Sequence, residues 1–462
     1  MLPPGPSSHP IVNLVRWVRT PLPMLEQLAA TYGSAFSVRV PSLREPIVFF
    51  SDPAAIKDIW SGDPDVLRAG EANALLRAAL GPSSLLLLDG REHLRERRLM
   101  LPPFHGERMR AYGDAMRDAT LAEIARWKHG VTFPIHGAMQ TIALEVIMRT
   151  IFGVGDEPRL RPLRDALVRY TSLATSRIGT TVLMLTPPAY AVRVQQAAAH
   201  GLGRLLPWSA IVRAQSETDR IVREVIAARR REGTSGRSDV LSLLLDARDE
   251  HGAAMTDDEL RDEMLTLLLA GHETTATTLA WVIHHLLAHP ALLACLRAEI
   301  DEAGDDLDRL VFLDAVIKET LRLTPIIPLV ARRLARAATI GGHSLPAGAT
   351  AAAVIYLVHR RPDLWPDPAR FDPTRFLGKK LDPGHYFPFG GGTRRCLGMA
   401  FASFEMKIVL ATILARVDLA AASDRVRLVR RGITLAPSGG MPIVARPREL
   451  VARATPPAAR GA

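Results

Sequence analysis

The sequence predicts a mainly α-helical protein with small β-sheets. Three observations lead there. Leu, Ala and Val supply most of the apolar bulk, and Leu and Ala favour helix. Aromatic residues make up only 5% of the chain. One stretch beginning near Thr256 carries helix signals from cap to stop over about 33 residues, some 50 Å of helix.

The chain has 462 residues, 48% apolar and 23% charged. That is an ordinary globular balance with material for a large core. No internal repeat or linker divides it, so residues 1–462 are read as one domain, with 1–10 and 450–462 as flexible tails. The formal net charge is +10. The arginines are spread along the chain without an aromatic-rich basic block, which favours a docking face for an acidic protein partner over nucleic acid; a generally basic proteome would explain the charge too. The cysteines, Cys295 and Cys396, form no CxxC pair. No zinc site or disulfide framework is expected, a reducing, cytoplasmic compartment fits, and an isolated cysteine can still be a nucleophile or a metal ligand. MLPPGPSSHP lacks a basic region followed by an apolar stretch, so no signal peptide is expected. No run of about 18 apolar residues predicts a membrane span. The amphipathic stretch from Ile11 to Val18 is read as an ordered surface strap rather than a membrane contact.

In chain order, 36–50 (FSVRVPSLREPIVFF) reads as two short strands around a turn at Pro41–Pro46. Asp52 is an N-cap with Pro53 at the first helical position. Residues 91–100 and 107–127 read as Arg-rich helices. The region from Arg159 to Trp208 reads as helix broken at Pro187-Pro188 and Gly201–Gly203, and as the most mobile part of the fold. Thr256 followed by Glu259 is a capping box, and Pro290 stops the long helix after His289. That helix is apolar on most faces and so belongs in the core. Strand-like pieces fill 326–360, loops fill 361–395, and a final helix runs from Leu397 to about Val417. The tail after Pro447 reads as disordered.

The strongest chemical signal is Phe389-Gly390-Gly391-Gly392-Thr393-Arg394-Arg395-Cys396-Leu397-Gly398. Three consecutive glycines let backbone fold tightly against a flat object. The cysteine comes just before a helix, whose N–H groups favour a thiolate. Taken alone, Cys396 could equally be a buried structural cysteine after a glycine turn. In the long helix, Ala270 and Gly271 remove bulk where a ligand would approach. Thr274 can bond the preceding turn and bend the helix, and Glu273 offers a protonatable group. Glu319 and Arg322 share a helix face at i, i+3. So do His93 and Arg97 at i, i+4.

The glycine–cysteine string resembles the cysteine loop of the cytochrome P450 family (Phe-x-x-Gly-x-Arg-x-Cys-x-Gly) at every fixed position. The resemblance extends over nearly the whole chain through four further motifs in the correct order. It implies the P450 fold, a triangular helical prism with haem b between the long helix and the cysteine-loop helix. It implies Cys396 as the iron ligand, with Phe389, Gly398 and Ala270 against the haem. A thiolate ligand donates electron density that favours O–O cleavage. His93, Arg97, Arg332 and Arg394 are implied as haem-propionate residues; Arg333 competes with Arg332, while Arg91, Arg95 and Arg98 read as solvated surface or partner-docking residues. Glu273 and Thr274 resemble the family's acid–alcohol pair that delivers protons during oxygen activation, and His272 resembles a packing position. Glu319, Arg322 and Arg375 resemble the structural Glu-x-x-Arg set, with Thr374 standing where the family often has Glu.

Position in the motif order also suggests substrate-pocket residues: Leu85 in the loop from Ala72 to Leu88, Ala270, Thr274, Ile326, Ile327, Leu329, Val330, and Ser438 in the turn Pro437–Gly440. They are mostly aliphatic, so a hydrophobic substrate follows. The strings SLLLLDG and LMLPPFHGERM resemble a bacterial subgroup linked to fatty acids and terpenoids. The implied activity is monooxygenation with dioxygen and two electrons from a ferredoxin and its ferredoxin reductase, since the chain stops soon after the last expected strand. The alternatives are a peroxide-using or rearranging haem enzyme, against which Glu273 and Thr274 argue, and a non-catalytic haem-binding auxiliary protein, against which the intact cysteine loop argues.

Overall fold

Asp52 caps the helix that follows the first hairpin as its residue type predicts, accepting the N–H groups of Ala54 at 3.0 Å and Ala55 at 3.1 Å. The structure is a computed structural model and describes all residues except 42, 105–107, 154–159, 175, 177–178, 180–208, 424 and 449–462. The helices of nine or more described residues are α1 Pro10–Arg19, α2 Pro21–Tyr32, α3 Pro53–Ser61, α4 Gly90–Met100, α5 Gly113–Ile124, α6 Ile135–Phe152, α7 Leu160–Ala174, α8 Ser209–Glu232, α9 Asp257–Ala288, α10 Pro290–Ala303, α11 Val311–Leu323 and α12 Met399–Arg416.

Helix α9 is the axis of the fold. Its capping box forms both ways: the Thr256 hydroxyl accepts Glu259 N–H at 3.2 Å, and the Glu259 carboxylate accepts Thr256 N–H at 2.7 Å. Leu260, Met264, Leu268, Ala276, Leu279 and Val282 are all fully buried. Helix α6, apolar nearly all round, packs along it. Their side chains merge with those of α5, α11 and α12 into the main core.

The strands lie to one side. The hairpin expected over 36–50 forms as β1 Ala35–Val38 and β2 Ile47–Phe50. With β3 Leu67–Arg68, β5 Val330–Leu334 and β8 Thr350–Ala353 it builds a five-stranded sheet in the order β1-β2-β8-β5-β3. Alternation divides the strands between two smaller cores: Val48, Phe50, Ala351 and Ala353 face one, and Phe36, Phe49 and Ala352 the other. β6 Ala338–Ile340 and β7 His343–Leu345 form a separate hairpin. A third sheet joins β4 Thr132–Pro134, β12 Pro442–Pro447 and β9 Val417–Ala421, and β10 Leu428–Arg431 pairs with β11 Thr434–Pro437.

Some expectations need correction. The helix expected over 107–127 is two helices, Arg108–Ala111 and α5, parted at Tyr112 before the weak helix former Gly113. Residues before α1 are not a loose tail: Ser37 N–H donates to Pro4 O at 2.8 Å, and a Cβ on Gly5 would meet Ser37 O at 1.8 Å. The prolines set this segment extended, so docking it costs little entropy. The expected mobility and breaks at 187–188 and 201–203, and the tail from 450, lie outside the described residues.

Candidate active site

In the cysteine loop, Cys396 N–H donates to Phe389 O at 2.9 Å, closing the loop just before α12. Gly390 and Gly392 adopt φ of +70° and +63°, which L side chains rarely take. The flat object the glycines fold against is Trp60. A Cβ on Gly391 would sit 2.6 Å from the indole Nε1, and one on Gly392 would sit 2.4 Å from Trp60 O. Gly398 differs: a Cβ there would meet nothing within 4 Å. The Cys396 side chain is accessible although it lies within the fold. Burial pushes its thiol pKa up, against the pull of the Gly398 N–H, Arg97 and Arg395. A bound cation would act the other way and favour the thiolate.

Beside the thiol, α4, β5 and the cysteine loop bring together His93, Arg97, Arg332 and Arg394. Burial first, then Arg394, Arg97 and Arg332, push the His93 pKa down to about 3. His93 is thus an uncharged N–H donor here. Burial and neighbouring cations lower Arg332 and Arg394 to about 10. Arg394 is engaged by protein acceptors: it donates to Leu85 O at 3.1 Å, to Asp89 at 2.7 Å and to Leu88 O. Arg97 and Arg332 have no carboxylate partner among the described residues; Arg332 donates to Ala331 O at 2.9 Å and stacks over Trp60. Arg333, on the other side of β5, approaches Glu71 at 3.8 Å, which takes it out of the competition with Arg332. Cations drawn into the fold without a carboxylate, Arg332 buried and Arg97 half-buried, are costly, and an anionic group with two carboxylates would relieve them. The set fits haem: a thiol for iron, open space beside Gly398, and unpaired cations for propionates.

On α9, Ala270 is exposed and Thr274 half-exposed amid otherwise buried helix, so the helix opens onto interior space there. The Thr274 hydroxyl donates to Ala270 O at 2.7 Å, and the Thr278 hydroxyl to Thr274 O at 2.8 Å. Glu273 is buried and accepts from Gln140 at 2.6 Å. Its Oε1 has no hydrogen bond, with His136 at 3.8 Å and Arg431 at 3.9 Å. Burial raises its pKa, against Arg431 and Gln140. His272 is buried, and its charge coupling runs to Arg431 and His136 rather than towards Cys396.

The Glu319–Arg322 pair is fully buried. Arg322 donates to both Glu319 oxygens at 2.6 and 2.8 Å, to His359 O at 2.7 Å, to Pro368 O at 2.8 Å and to Arg370 O at 3.1 Å. Arg375 stands 3.5 Å from Glu319 and donates to Asp367 O at 3.0 Å. One ion pair thus pins α11 to the loop ahead of the cysteine.

Of the positions suggested for substrate, Leu85 and Ile326 are buried in the main core, while Ile327, Leu329 and Val330 are half-buried. Leu329 and Val330 pack against the two sheet cores. Ser438 is half-buried, and its hydroxyl accepts Arg427 N–H at 2.8 Å. Arg91 and Arg98 are exposed, as expected. Arg95 is not free surface: it bonds Asp249 at 2.7 Å and Glu259 at 2.9 Å.

The sequence reading missed how the loop before α4 is held. Ser83 N–H donates to Asp262 at 2.8 Å, Ser84 Oγ pairs with Thr266 Oγ1 at 2.7 Å, and Leu85 N–H donates to Glu263 at 2.6 Å. Across the same loop, Asp89 accepts Gly70 N–H at 2.8 Å and receives Arg394. The only local signals were acidic residues on a core helix and an Asp before a glycine.

Comparison with known proteins adds the family. A profile described as cytochrome P450 matches residues 3–442. A Mycobacterium tuberculosis protein with the provisional name cytochrome P450 135B1 is 41% identical over 425 residues, 90% of this chain and 85% of that one. Another from that organism, provisionally cytochrome P450 138, is 34% identical over 452 residues, 97% of each chain. Among solved structures, the heme domain of cytochrome P450DA superposes with a TM-score of 0.82 at 26% identity, over 97% of this chain and 98% of that one. The retinoic-acid-bound cyanobacterial CYP120A1 also gives 0.82, at 23% identity, over 97% and 99%.

Proposed function

The chain belongs to the cytochrome P450 family, and from that premise we propose that it oxidises a hydrophobic small molecule, of fatty-acid or terpenoid type, with electrons from a ferredoxin and its reductase. Enzymes of this family are monooxygenases using haem b, dioxygen and a redox partner. Among the described residues, no single helix is long and apolar enough to cross a membrane. We place the protein in the cytoplasm, where Cys295 and Cys396 stay reduced.

The observation that carries the reading is the accessible Cys396 thiol in an interior that also holds the unpaired Arg97 and Arg332. Cys396 Sγ would hold the iron, with Gly398 leaving room for the ring. Arg97 and Arg332 would take the carboxylates, with His93 as a neutral donor. Arg394 would act mainly by fixing the loop at Leu85 and Leu88. Haem, when bound, supplies oxygen activation.

The chain's part is proton supply and orientation. Burial favours the protonated form of Glu273. Glu273 precedes Thr274 in the chain, and a proton held on its carboxyl would reach the open space by way of the Thr274 hydroxyl, which is bonded to Ala270 O. Aliphatic Ile327, Leu329 and Val330 would exclude water and hold an apolar substrate. The exposed Arg91 and Arg395 would meet an acidic ferredoxin, whereas Arg98 is paired with Glu250 at 2.9 Å.

The deciding test is the spectrum of the dithionite-reduced protein with carbon monoxide, followed by turnover with ferredoxin and labelled dioxygen. A strongly red-shifted main band, lost in Cys396→His, is expected, as is label in the product. A band at the ordinary position in wild type would reject the thiolate assignment. Peroxide turnover far above ferredoxin turnover would reject the ferredoxin reading.

A further inference from the structure

Helix α1 is built inside out. Its fully buried residue is Asn13, and its large aliphatic residues face solvent: Ile11 is 55% exposed, Val12 48% and Val15 44%. Asn13 is held by the fold, donating to Arg39 O at 3.1 Å and accepting from the Ser8 hydroxyl at 2.6 Å. One turn on, Trp17 also faces inward, against Phe49 and under Arg430. The row Asn13–Trp17 therefore fixes which way the helix points. The rows Ile11–Val15–Arg19 and Val12–Arg16 lie at i, i+4 on the outer side, with Arg16 half-buried and donating to the Gln27 side chain at 2.5 Å. That outer face runs from aliphatic at its start to basic at its end.

The surroundings extend both features. Arg430 on β10 donates to Trp17 O at 3.3 Å, and beside it Val429 is 41% and Ile433 50% exposed. Residues 1–44 hold four arginines, Arg16, Arg19, Arg39 and Arg44, against one acidic residue, Glu26. Glu26 is turned to Tyr356, accepting its hydroxyl at 2.5 Å. Arg19, Arg39 and Arg44 are exposed.

We propose that this face, α1 with the tip of the β10–β11 hairpin, rests on an anionic lipid surface, with Ile11, Val12 and Val15 among the acyl chains and Arg16 and Arg19 at the phosphates. Exposed aliphatic side chains lose little by entering the headgroup boundary and gain by leaving water. Arginines at the edge of such a face keep their heads among phosphates while their stems cover apolar surface. A protein-binding face of this size would be expected to offer aromatic or methionine anchors, and its exposed apolar side chains here are all aliphatic Ile and Val. A second copy is a poorer occupant, because so few exposed side chains fall short of what a stable dimer buries. The contact is peripheral and independent of the haem chemistry.

The test is co-sedimentation of the full-length, haem-loaded protein with vesicles of phosphatidylcholine alone or mixed equally with phosphatidylglycerol. Wild type should bind the mixed vesicles and release them in high salt. The triple change Ile11→Ser, Val12→Ser, Val15→Ser should lower binding about tenfold or more, and Arg16→Gln with Arg19→Gln several-fold. The reduced carbon-monoxide spectrum of each variant checks that the fold is kept. No binding of wild type to mixed vesicles overturns the proposal, and so does undiminished binding by the correctly folded triple variant. A triple variant that converts a dimer to a monomer on gel filtration would assign the face to a second copy instead.

Discussion

The Glu263 carboxyl on the long helix accepts the backbone N–H of Leu85 at 2.6 Å, and the carbonyl of the same residue accepts from Arg394 in the cysteine loop at 3.1 Å. One loop residue thus ties the long helix to the cysteine loop. Burial raises Glu263 well above the usual carboxylate range, with Glu96 adding to it, so a neutral amide is a fair mimic. Glu263→Gln should keep near wild-type stability. Glu263→Ala strands the Leu85 N–H and should cost about 1–3 kcal/mol. Hydrogen exchange over 83–89 should rise in the Ala variant only; equal exchange in all three proteins would refute the tie.

Glu96 gives a pH dependence. Burial, then Glu259, push its pKa up to about 7, against Arg95. A carboxyl raised in the folded state contributes its stability below the unfolded value, near 4.5, and loses it as pH rises to about 7. The loss is at most roughly 3 kcal/mol. Glu96→Gln should therefore flatten the fall in stability across that window and leave the variant the more stable above it. Denaturant midpoints from pH 5 to 8 check this, and parallel curves would contradict it.

The buried Glu319–Arg322 pair should be intolerant of even a like-charged replacement. Arg322→Lys keeps the charge but cannot make the five hydrogen bonds of the guanidinium, and Arg322→Ala leaves Glu319 as an uncompensated buried charge. Losses of about 3–5 kcal/mol are expected for the Ala variant. The ratio of haem absorbance to protein absorbance after purification measures it.

Thr274→Ala removes a hydroxyl whose one protein bond among the described residues is to Ala270 O. Stability should change by less than about 1 kcal/mol, because such back-bonds barely stabilise a helix. Product formed per dioxygen consumed should fall several-fold if the hydroxyl moves protons. Unchanged coupling would remove Thr274 from that role.

Arg97 and Arg332, beside Cys396, have no carboxylate partner among the described residues, so replacing both by Met should help the empty protein and harm the loaded one. The apoprotein should melt at the same temperature or higher, while haem dissociates about tenfold faster or more. Haem transfer to an acceptor protein reads the rate.

The sequence by itself determined the long helix, because Thr256, Glu259 and Pro290 are local signals that act through adjacent backbone. It also marked Cys396, Thr274 and the Glu319–Arg322 pair, because motif spacing is a property of the chain and not of its packing. It did not delimit β9 to β12, whose four to six residues gain strand identity by pairing, in the case of β12 with β4 some 310 positions earlier. Only the tertiary structure decided that Trp60 fills the hollow under Gly391 and Gly392, that Arg332 and not Arg333 turns inward, and that Glu263 reaches Leu85. These depend on desolvation and on contacts between residues far apart in sequence, which appear only when folding brings the partners together. The same reason explains α1: its residues read as a plain amphipathic strap, and the burial of Asn13 against Arg39 is what turned the apolar side outward.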